Sequence, residues 1–206
     1  MSHTLGIRQA QKQKTRQALM DSALQLLEHQ SLSSLGLREV TRAVGVAPAA
    51  FYRHFKDTAD LGVALVEQAL GSLHETIRAA IVTTGASDER IDRAVELIAA
   101  HVLAYPSHVR FIARERHGGV APVREAIGVQ LRRFADEVAE ALGADPESVG
   151  WSSADLRMLG GMYVDHMVMT ASSLLEGEEG AVLATARARL RLVTLGRRHW
   201  LDRPGS

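Results

Sequence analysis

The stretch LREVTRAVGVAPAAFYRHF, residues 37–55, decides the fold of this chain. Apolar residues recur through its first half at helical spacing and predict a short helix over residues 37–44. Gly45 is expected to end that helix in the left-handed conformation, which glycine adopts without a steric penalty. Pro48 follows at the place where the first turn of a helix accepts proline. The stretch therefore predicts two short helices joined by a tight turn.

The second of these helices, predicted from Pro48 to about Lys56, has one aromatic face. Phe51 and Phe55 are four residues apart, so they share a face that is expected to pack on a preceding helix. The other positions then point outward, small at the beginning of the helix and polar at its end. Such a face suits the major groove of DNA, where alanine methyl groups meet thymine methyl groups and polar side chains reach phosphates or base edges. The alternative is a plain helical hairpin with a buried aromatic pair.

Positive charge is concentrated around this stretch. Residues 7–56 contain eight Lys and Arg residues against three Asp and Glu residues, although the formal net charge of the chain is zero. The asymmetry indicates a local basic face for a nucleic acid, with an ordinary solvated helix surface as the alternative. Arg53 is expected at either a guanine or a phosphate. The predicted DNA-contacting residues are Lys12, Lys14, Arg16, Arg38, Thr41, Ala47, Ala49, Ala50, Tyr52, Arg53, His54 and Lys56.

Helical periodicity continues along the rest of the chain, so the predicted fold class is all-α with about nine helices. The predicted ranges are 8–29, 37–44, 48–56, 58–82, 88–104, 106–116, 120–142, 152–175 and 180–201. The eighth helix is apolar on nearly every side. A helix of this kind must be covered on most of its surface, which predicts core contacts on one face and a subunit interface on the other.

Several classes of protein are disfavoured by the sequence. The absence of cysteine excludes disulfides, thiolate metal sites and a cysteine nucleophile. No secretion signal or membrane-spanning apolar run is visible, and we expect a cytoplasmic protein. His74 and Glu75 begin a zinc-protease pattern, but Arg78 takes the place of the second histidine. Asp165-His166 is expected to be a hydrogen-bonded or interface pair, so no enzyme activity, metal or cofactor is predicted.

Residues 37–55 resemble the signature of TetR-family transcription repressors, since an apolar-polar-polar-apolar helix leads through a Val-Gly-Val turn to a helix ending in Tyr-x-x-Phe. The resemblance covers nearly the whole chain. Within the family, residues 51–55 and the later Phe-Ile-Ala-Arg-Glu-Arg of residues 111–116 are similar to the DesT and FabR regulators of unsaturated fatty acid synthesis. Three residues depart from the common family pattern: Gly36, Ala47 and Thr58, where other members often carry a Ser/Thr cap, a serine and a lysine.

The resemblance implies a helix-turn-helix DNA-binding domain over residues 1–57 and an effector-binding and dimerisation domain over residues 58–206. It implies a homodimer on a palindromic double-stranded operator that controls genes of fatty acid desaturation. The implied effector is a long-chain acyl-CoA, the unsaturated form favouring DNA binding and the saturated form opposing it. Alternatives are a related regulator of another apolar ligand, such as an efflux substrate, and a helical acyl carrier that does not bind DNA.

The composition agrees with an aliphatic ligand site, because hydrophobic residues make up 46% of the chain and aromatic residues only 4%. An ordinary hydrophobic core is the alternative for each residue. The predicted ligand-binding residues are Val95, Ile98, Val102, Phe111, Ile112, Arg114, Val123, Ile127, Phe134, Met158, Met162 and His166. The candidate partners of the CoA phosphates are Arg110, Arg114, Arg116, Arg124, Arg132 and Arg133. The predicted dimer-interface residues are Tyr163, Met167, Val182, Leu190 and Val193.

Overall fold

The computed structural model describes residues 2–81 and 87–201, and the side chains of residues 7–74 and 88–201. Within these ranges the chain forms nine α-helices and no strand, which confirms the all-α prediction. The helices are α1 (Ser2–Leu26), α2 (Leu37–Val44), α3 (Pro48–Phe51), α4 (Thr58–Ile81), α5 (Ser87–Ala104), α6 (Pro106–Glu115), α7 (Ala121–Gly143), α8 (Ser153–Leu174) and α9 (Glu179–Arg198). Two short 3₁₀ helices lie at Leu32–Ser34 and Pro146–Ser148. None of the described helices is long and apolar enough to cross a bilayer.

Two helices differ from the prediction by more than three residues at one end. α1 begins at Ser2 rather than at residue 8. α3 ends at Phe51, and Tyr52, Arg53 and His54 continue as a turn. The sequence also predicts a break over residues 85–88; residues 85 and 86 lie outside the described residues, and Ser87 already begins α5.

The described residues fall into two compact units. The first unit holds the chain up to Ala69 together with Arg110–Ile127, and the second holds Leu70–Val109 together with the residues from Gly128 onward. α4, α6 and α7 each contribute residues to both units.

The first unit is built around α1, which packs against α2, while α2 packs against α3. Gly45 ends α2 with φ 74° and ψ 30°, and its N–H donates to the carbonyl oxygens of Thr41 and Arg42, as the sequence predicts for a left-handed cap. Pro48 begins α3, which is also as predicted. The buried apolar side chains of this unit include Leu19, Ala23, Leu27, Leu32, Leu35, Val40, Phe51, Phe55, Leu61 and Leu65.

In the second unit, α5 packs against α8 and α9, and these two helices pack against each other. Its core contains Ile91, Val95, Ala186 and Leu190. α7 and α8 approach closely at Gly160, where any side chain would overlap the carbonyl oxygen of Ala135.

A buried arginine ties the end of α9 to the loop that precedes α8. The guanidinium of Arg197 donates to the hydroxyl of Ser148 and lies 3.7 Å from the carboxylate of Asp145 and 3.8 Å from that of Glu147. Asp145 also accepts a hydrogen bond of 2.8 Å from Arg90 of α5. Burial raises the pKa of Asp145, but the backbone N–H of Glu147 and the two arginines outweigh it and lower that pKa below its ordinary value.

Candidate nucleic-acid interface

The outward face of α3 and the turn after it is composed of small and polar side chains. Ala47 and Ala49 are exposed and Ala50 is half-buried. Tyr52 is 63% exposed, and Arg53 is exposed beside it. This segment therefore presents a narrow backbone surface flanked by a phenol and a guanidinium, which agrees with the pattern expected from the sequence.

The inward face of the same segment is an aromatic anchor. Phe51 is 0% and Phe55 3% exposed, and their ring centroids lie 5.5 Å apart. A four-residue helix has no stability of its own, so the burial of these two rings must hold the segment in place. The guanidinium of Arg16 on α1 stacks over the ring of Phe55, 4.9 Å from its centroid, and its Nη1 donates to the sulfur of Met20. Arg16 thus connects α1 to the anchor, and a phosphate contact by this residue remains a prediction.

His54 lies half-buried among positive charges. Burial lowers its pKa, and the charges of Lys12, Arg16 and Arg53 lower it further. The imidazole is therefore neutral at neutral pH, and the cations around it leave a positive surface next to α3. Lys12 and Lys14 of α1, together with Arg38 and Lys56, are exposed.

The segment after α3 is fixed by two aspartates at the start of α4. The carboxylate of Asp57 accepts the backbone N–H of Asp60 at 2.8 Å, and the carboxylate of Asp60 accepts the backbone N–H of Lys56 at 3.0 Å. These reciprocal bonds fix the backbone at Lys56 while its side chain stays exposed.

Thr41 does not belong to this exposed face. It is 2% exposed, and its hydroxyl donates to the carbonyl oxygens of Leu37 and Arg38 in its own helix. The prediction of a DNA contact by Thr41 is corrected here, because the inward position and the local hydrogen bonds leave the hydroxyl no route to a partner.

The predicted ligand-binding residues are divided between the two units. Phe111, Ile112, Val123 and Ile127 are buried in the first unit, whereas Val95, Ile98, Val102 and Phe134 are buried in the second. Met158 and Met162 are 43% and 48% exposed, so their assignment to an internal ligand site is corrected. His166 is half-buried, and its Nε2 lies 3.2 Å from the carbonyl oxygen of Ala186, which joins α8 to α9.

The prediction that Arg114 binds the effector through a CoA phosphate is also corrected. Its guanidinium donates to the carbonyl oxygens of Leu27, Glu28 and Gln30 just after α1. These bonds occupy both terminal nitrogens of the guanidinium, so the side chain is committed to the backbone of the first unit.

The predicted dimer residues are half-buried in the single chain, apart from Leu190, which is buried. Leu190 is 1% exposed and belongs to the core of the second unit, and Tyr163 and Met167 pack against that core. Leu190 is therefore corrected to a core residue, while Val182 and Val193 are half-buried. The exposed apolar side chains of α8 and α9 are instead Met158, Met162, Met169, Leu192 and Leu195. The sequence signal for this set was the spacing of four between the first two methionines and of three between the two leucines.

Comparison with known proteins agrees with this arrangement. Residues 19–65 match the family model for the N-terminal domain of bacterial regulatory proteins of the tetR family. An uncharacterized HTH-type transcriptional regulator of Haemophilus influenzae is 38% identical over 136 residues, which are 66% of this chain. The chain spans 66% of the length of that relative.

Solved structures share the fold at low sequence identity. The fatty acid degradation regulator FadR of Bacillus halodurans has a TM-score of 0.68 at 16% identity, over 85% of this chain and 93% of its own. FadR of Bacillus subtilis in complex with stearoyl-CoA has a TM-score of 0.68 at 14% identity, over 87% and 98%. A TetR-family transcriptional regulator of Streptomyces coelicolor has a TM-score of 0.69 at 20% identity, over 91% and 97%.

The family-model match falls on helices α1 to α4, within the first unit. The related regulator matches a longer part of the chain, and the solved structures share its all-helical fold. The matched domain and the matched relative are those of transcriptional regulators, as predicted for a chain that is not an enzyme. Residues 19–65 of the chain therefore form an N-terminal domain of the kind found in bacterial regulatory proteins of the tetR family.

Proposed function

We propose that the chain is a transcriptional repressor that binds a palindromic DNA operator through α2 and α3. The observation that carries the proposal is the outward face of α3, where exposed Ala47 and Ala49 stand beside Tyr52 and Arg53 on a buried aromatic anchor. Small side chains let a short helix approach base edges, and the flanking polar groups reach the phosphates. The proposed contacts are Lys12, Lys14, Arg16, Arg38, Ala47, Ala49, Ala50, Tyr52, Arg53, His54 and Lys56.

The proposed repressor acts as a homodimer. α8 and α9 expose Met158, Met162 and Met169 together with Leu192 and Leu195, and large apolar side chains in such numbers on two adjacent helices are typical of an interface. A homodimer carries two copies of α3, one for each half-site of a duplex. The operator is then expected to contain two inverted half-sites separated by one helical turn, or a multiple of it.

The proposed effector is a long-chain acyl-CoA, and the proposed target genes are those of fatty acid desaturation. Support comes from the similarity of the fold to a FadR that was solved with stearoyl-CoA, and from the predominantly aliphatic side chains buried in this chain. An acyl chain changes DNA affinity only by its different affinity for the two states of the repressor. A kinked unsaturated chain and a straight saturated chain pack differently, so their effects on operator affinity can differ. The expected sign, with the unsaturated form favouring operator binding and the saturated form opposing it, comes from the resemblance to the DesT and FabR regulators.

The DNA-binding part of the proposal is tested with a duplex selected on the purified protein from a random pool. Lys56→Ala should weaken binding to every duplex and reduce the slope of log affinity against log salt by about one, since one phosphate contact is lost. Arg157→Ala is the matched control, because it removes an exposed positive charge from α8 instead. Failure to select any duplex would contradict the proposal.

The effector is tested by adding oleoyl-CoA or stearoyl-CoA to the complex with the selected duplex. Opposite shifts in operator affinity support the proposed regulation. Equal effects of the two compounds, or none, contradict it while leaving DNA binding intact. Mass spectrometry of ligands extracted from the purified protein would then show whether another apolar molecule, such as an efflux substrate, takes their place.

A further inference from the structure

The segment between α1 and α2, residues 27–36, is held by two consecutive side chains of α6. Nη1 of Arg114 donates to the carbonyl oxygens of Leu27 and Gln30, each at 2.7 Å, and Nη2 donates to that of Glu28 at 3.3 Å. The last carbonyl groups of a helix have no partner within the helix, and a cation is favoured there by the helix dipole. Arg114 thus supplies both the hydrogen bonds and the charge that the end of α1 requires.

Glu115 holds the same segment at its next turn. Its carboxylate is buried, with 1% of the residue exposed, and Oε1 accepts the backbone N–H of Leu32 at 2.9 Å. A side chain at Gly118 would overlap Oε2, so a glycine at that position leaves room for the buried carboxylate. Burying a carboxylate costs free energy, and the hydrogen bond from the N–H of Leu32 offsets part of that cost. Because the bond is made only when the 27–36 segment is in this position, it favours this position of the segment.

Leu32 is held on its other sides by apolar contacts. A Cβ added at Gly62 of α4 would overlap both Leu32 and Val123 of α7, so these three residues are in close contact. Leu32 is 1% exposed and Val123 is 0% exposed. Leu32 is therefore closely packed among residues of α4, α6 and α7 within the first unit. The 27–36 segment cannot move at this point unless these helices move as well.

The held segment leads directly into the helix-turn-helix. Gln30, whose carbonyl oxygen accepts from Arg114, donates through Nε2 to the carboxylate of Glu39 on α2 at 3.4 Å. That carboxylate also accepts the backbone N–H of Gly36 at 3.1 Å. A chain of hydrogen bonds thus runs from α6 through Gln30 to the first turn of α2.

We propose that Arg114 and Glu115 are positioning residues for operator recognition, which fix the 27–36 segment and through it the angle at which α2 and α3 meet the DNA. The inference rests on the proposed function. A change in the position of α6 moves the backbone of this segment directly, because the hydrogen bonds join α6 to it without an intervening element. The two residues affect specific recognition more than phosphate attraction, since base contacts demand an exact helix angle and the basic surface does not.

The test compares affinity for the selected operator with affinity for a scrambled duplex of the same length, without effector. Arg114→Ala should lower the ratio of the two affinities by about tenfold, the equilibrium factor of one charge-assisted hydrogen bond. Arg114→Lys keeps a cation and a donor and should restore part of the ratio. Arg157→Ala, which removes an exposed arginine of α8 that is given no role in DNA or effector binding, is the control and should leave the ratio unchanged.

The ratio separates positioning from a loss of folded protein, because a smaller active fraction lowers both affinities equally. Glu115→Leu should lower the ratio as Arg114→Ala does, whereas Glu115→Gln keeps an oxygen acceptor for Leu32 and should retain most of it. A wild-type ratio in Arg114→Ala and Glu115→Leu overturns this inference alone. Equal affinity of the wild-type chain for both duplexes overturns the proposed function itself, and this inference with it.

Discussion

Removing the side chain of Phe51 should cost more stability than removing that of its neighbour Tyr52, although both are large aromatic residues. Phe51 is 0% exposed and Tyr52 is 63% exposed. Burial of about 150 Å² of ring surface at roughly 25 cal/mol/Å² is worth about 4 kcal/mol. The ring pair with Phe55, at a centroid distance of 5.5 Å, adds about 0.5 to 1 kcal/mol. Phe51→Ala should therefore lower the free energy of unfolding by about 4 to 5 kcal/mol.

Tyr52→Ala removes mainly exposed surface and an edge contact to Phe51, whose ring centroid lies 5.8 Å away. Its cost in stability should be about 1 kcal/mol or less. Operator affinity should nevertheless fall in the folded variant, because the phenol is a proposed phosphate partner.

The assay for both variants is urea denaturation followed by circular dichroism, with operator affinity measured by fluorescence anisotropy on the folded fraction. We expect a stability defect in Phe51→Ala and an affinity defect in Tyr52→Ala. Equal losses of stability in the two variants would refute the assignment of an inward anchor and an outward contact face.

Three further predictions concern the second unit. The pKa of His101 is lowered by burial and then by the charge of His108, so the unfolded chain binds this proton more readily than the folded one. The stability that the neutral imidazole contributes is fully present above the unfolded pKa of about 6.5 and is lost as the pH falls from there through the lower folded pKa. The difference in the free energy of unfolding between about pH 7.5 and pH 5.5 should therefore be smaller in His101→Gln, and an unchanged difference would count against this. Arg197→Met should lower the free energy of unfolding by about 3 kcal/mol, since it leaves the buried hydroxyl of Ser148 without its donor and removes the cation 3.7 Å from the carboxylate of Asp145. A loss below about 1 kcal/mol would contradict that role. Met162→Asp should shift the homodimer toward monomer in sedimentation, and an unchanged dimer would exclude the exposed α8 face as the interface.

Local sequence signals predicted the helices well. Gly45 ends α2 and Pro48 begins α3 as predicted, because a left-handed glycine and a proline at a first helical turn act through local backbone geometry. Pro106 begins α6 for the same reason. The aromatic anchor was also predictable, since a spacing of four places Phe51 and Phe55 on one face whatever surrounds them.

The roles that depend on distant partners could not be predicted. Arg114 was expected near a CoA phosphate, but its partners lie on the chain after α1, up to 87 residues away in sequence. Leu190 and Leu192 are two residues apart on α9, and periodicity alone does not decide which of them faces the core and which is exposed. Thr41 has the size and chemistry of a DNA contact, yet the packing of α2 turns it inward.

The most direct measurement uses the absence of cysteine from the chain, which allows one thiol to be placed at will. Ala49→Cys, labelled with an iron chelate that cleaves nearby DNA, would be bound to the selected operator. We expect two cleavage sites, which are related by the two-fold axis of the operator and face its major groove, and no cleavage from a labelled Arg157→Cys control. Operator cleavage that is absent, present on one half-site only, or equal from the two labelled positions would contradict the proposed interface.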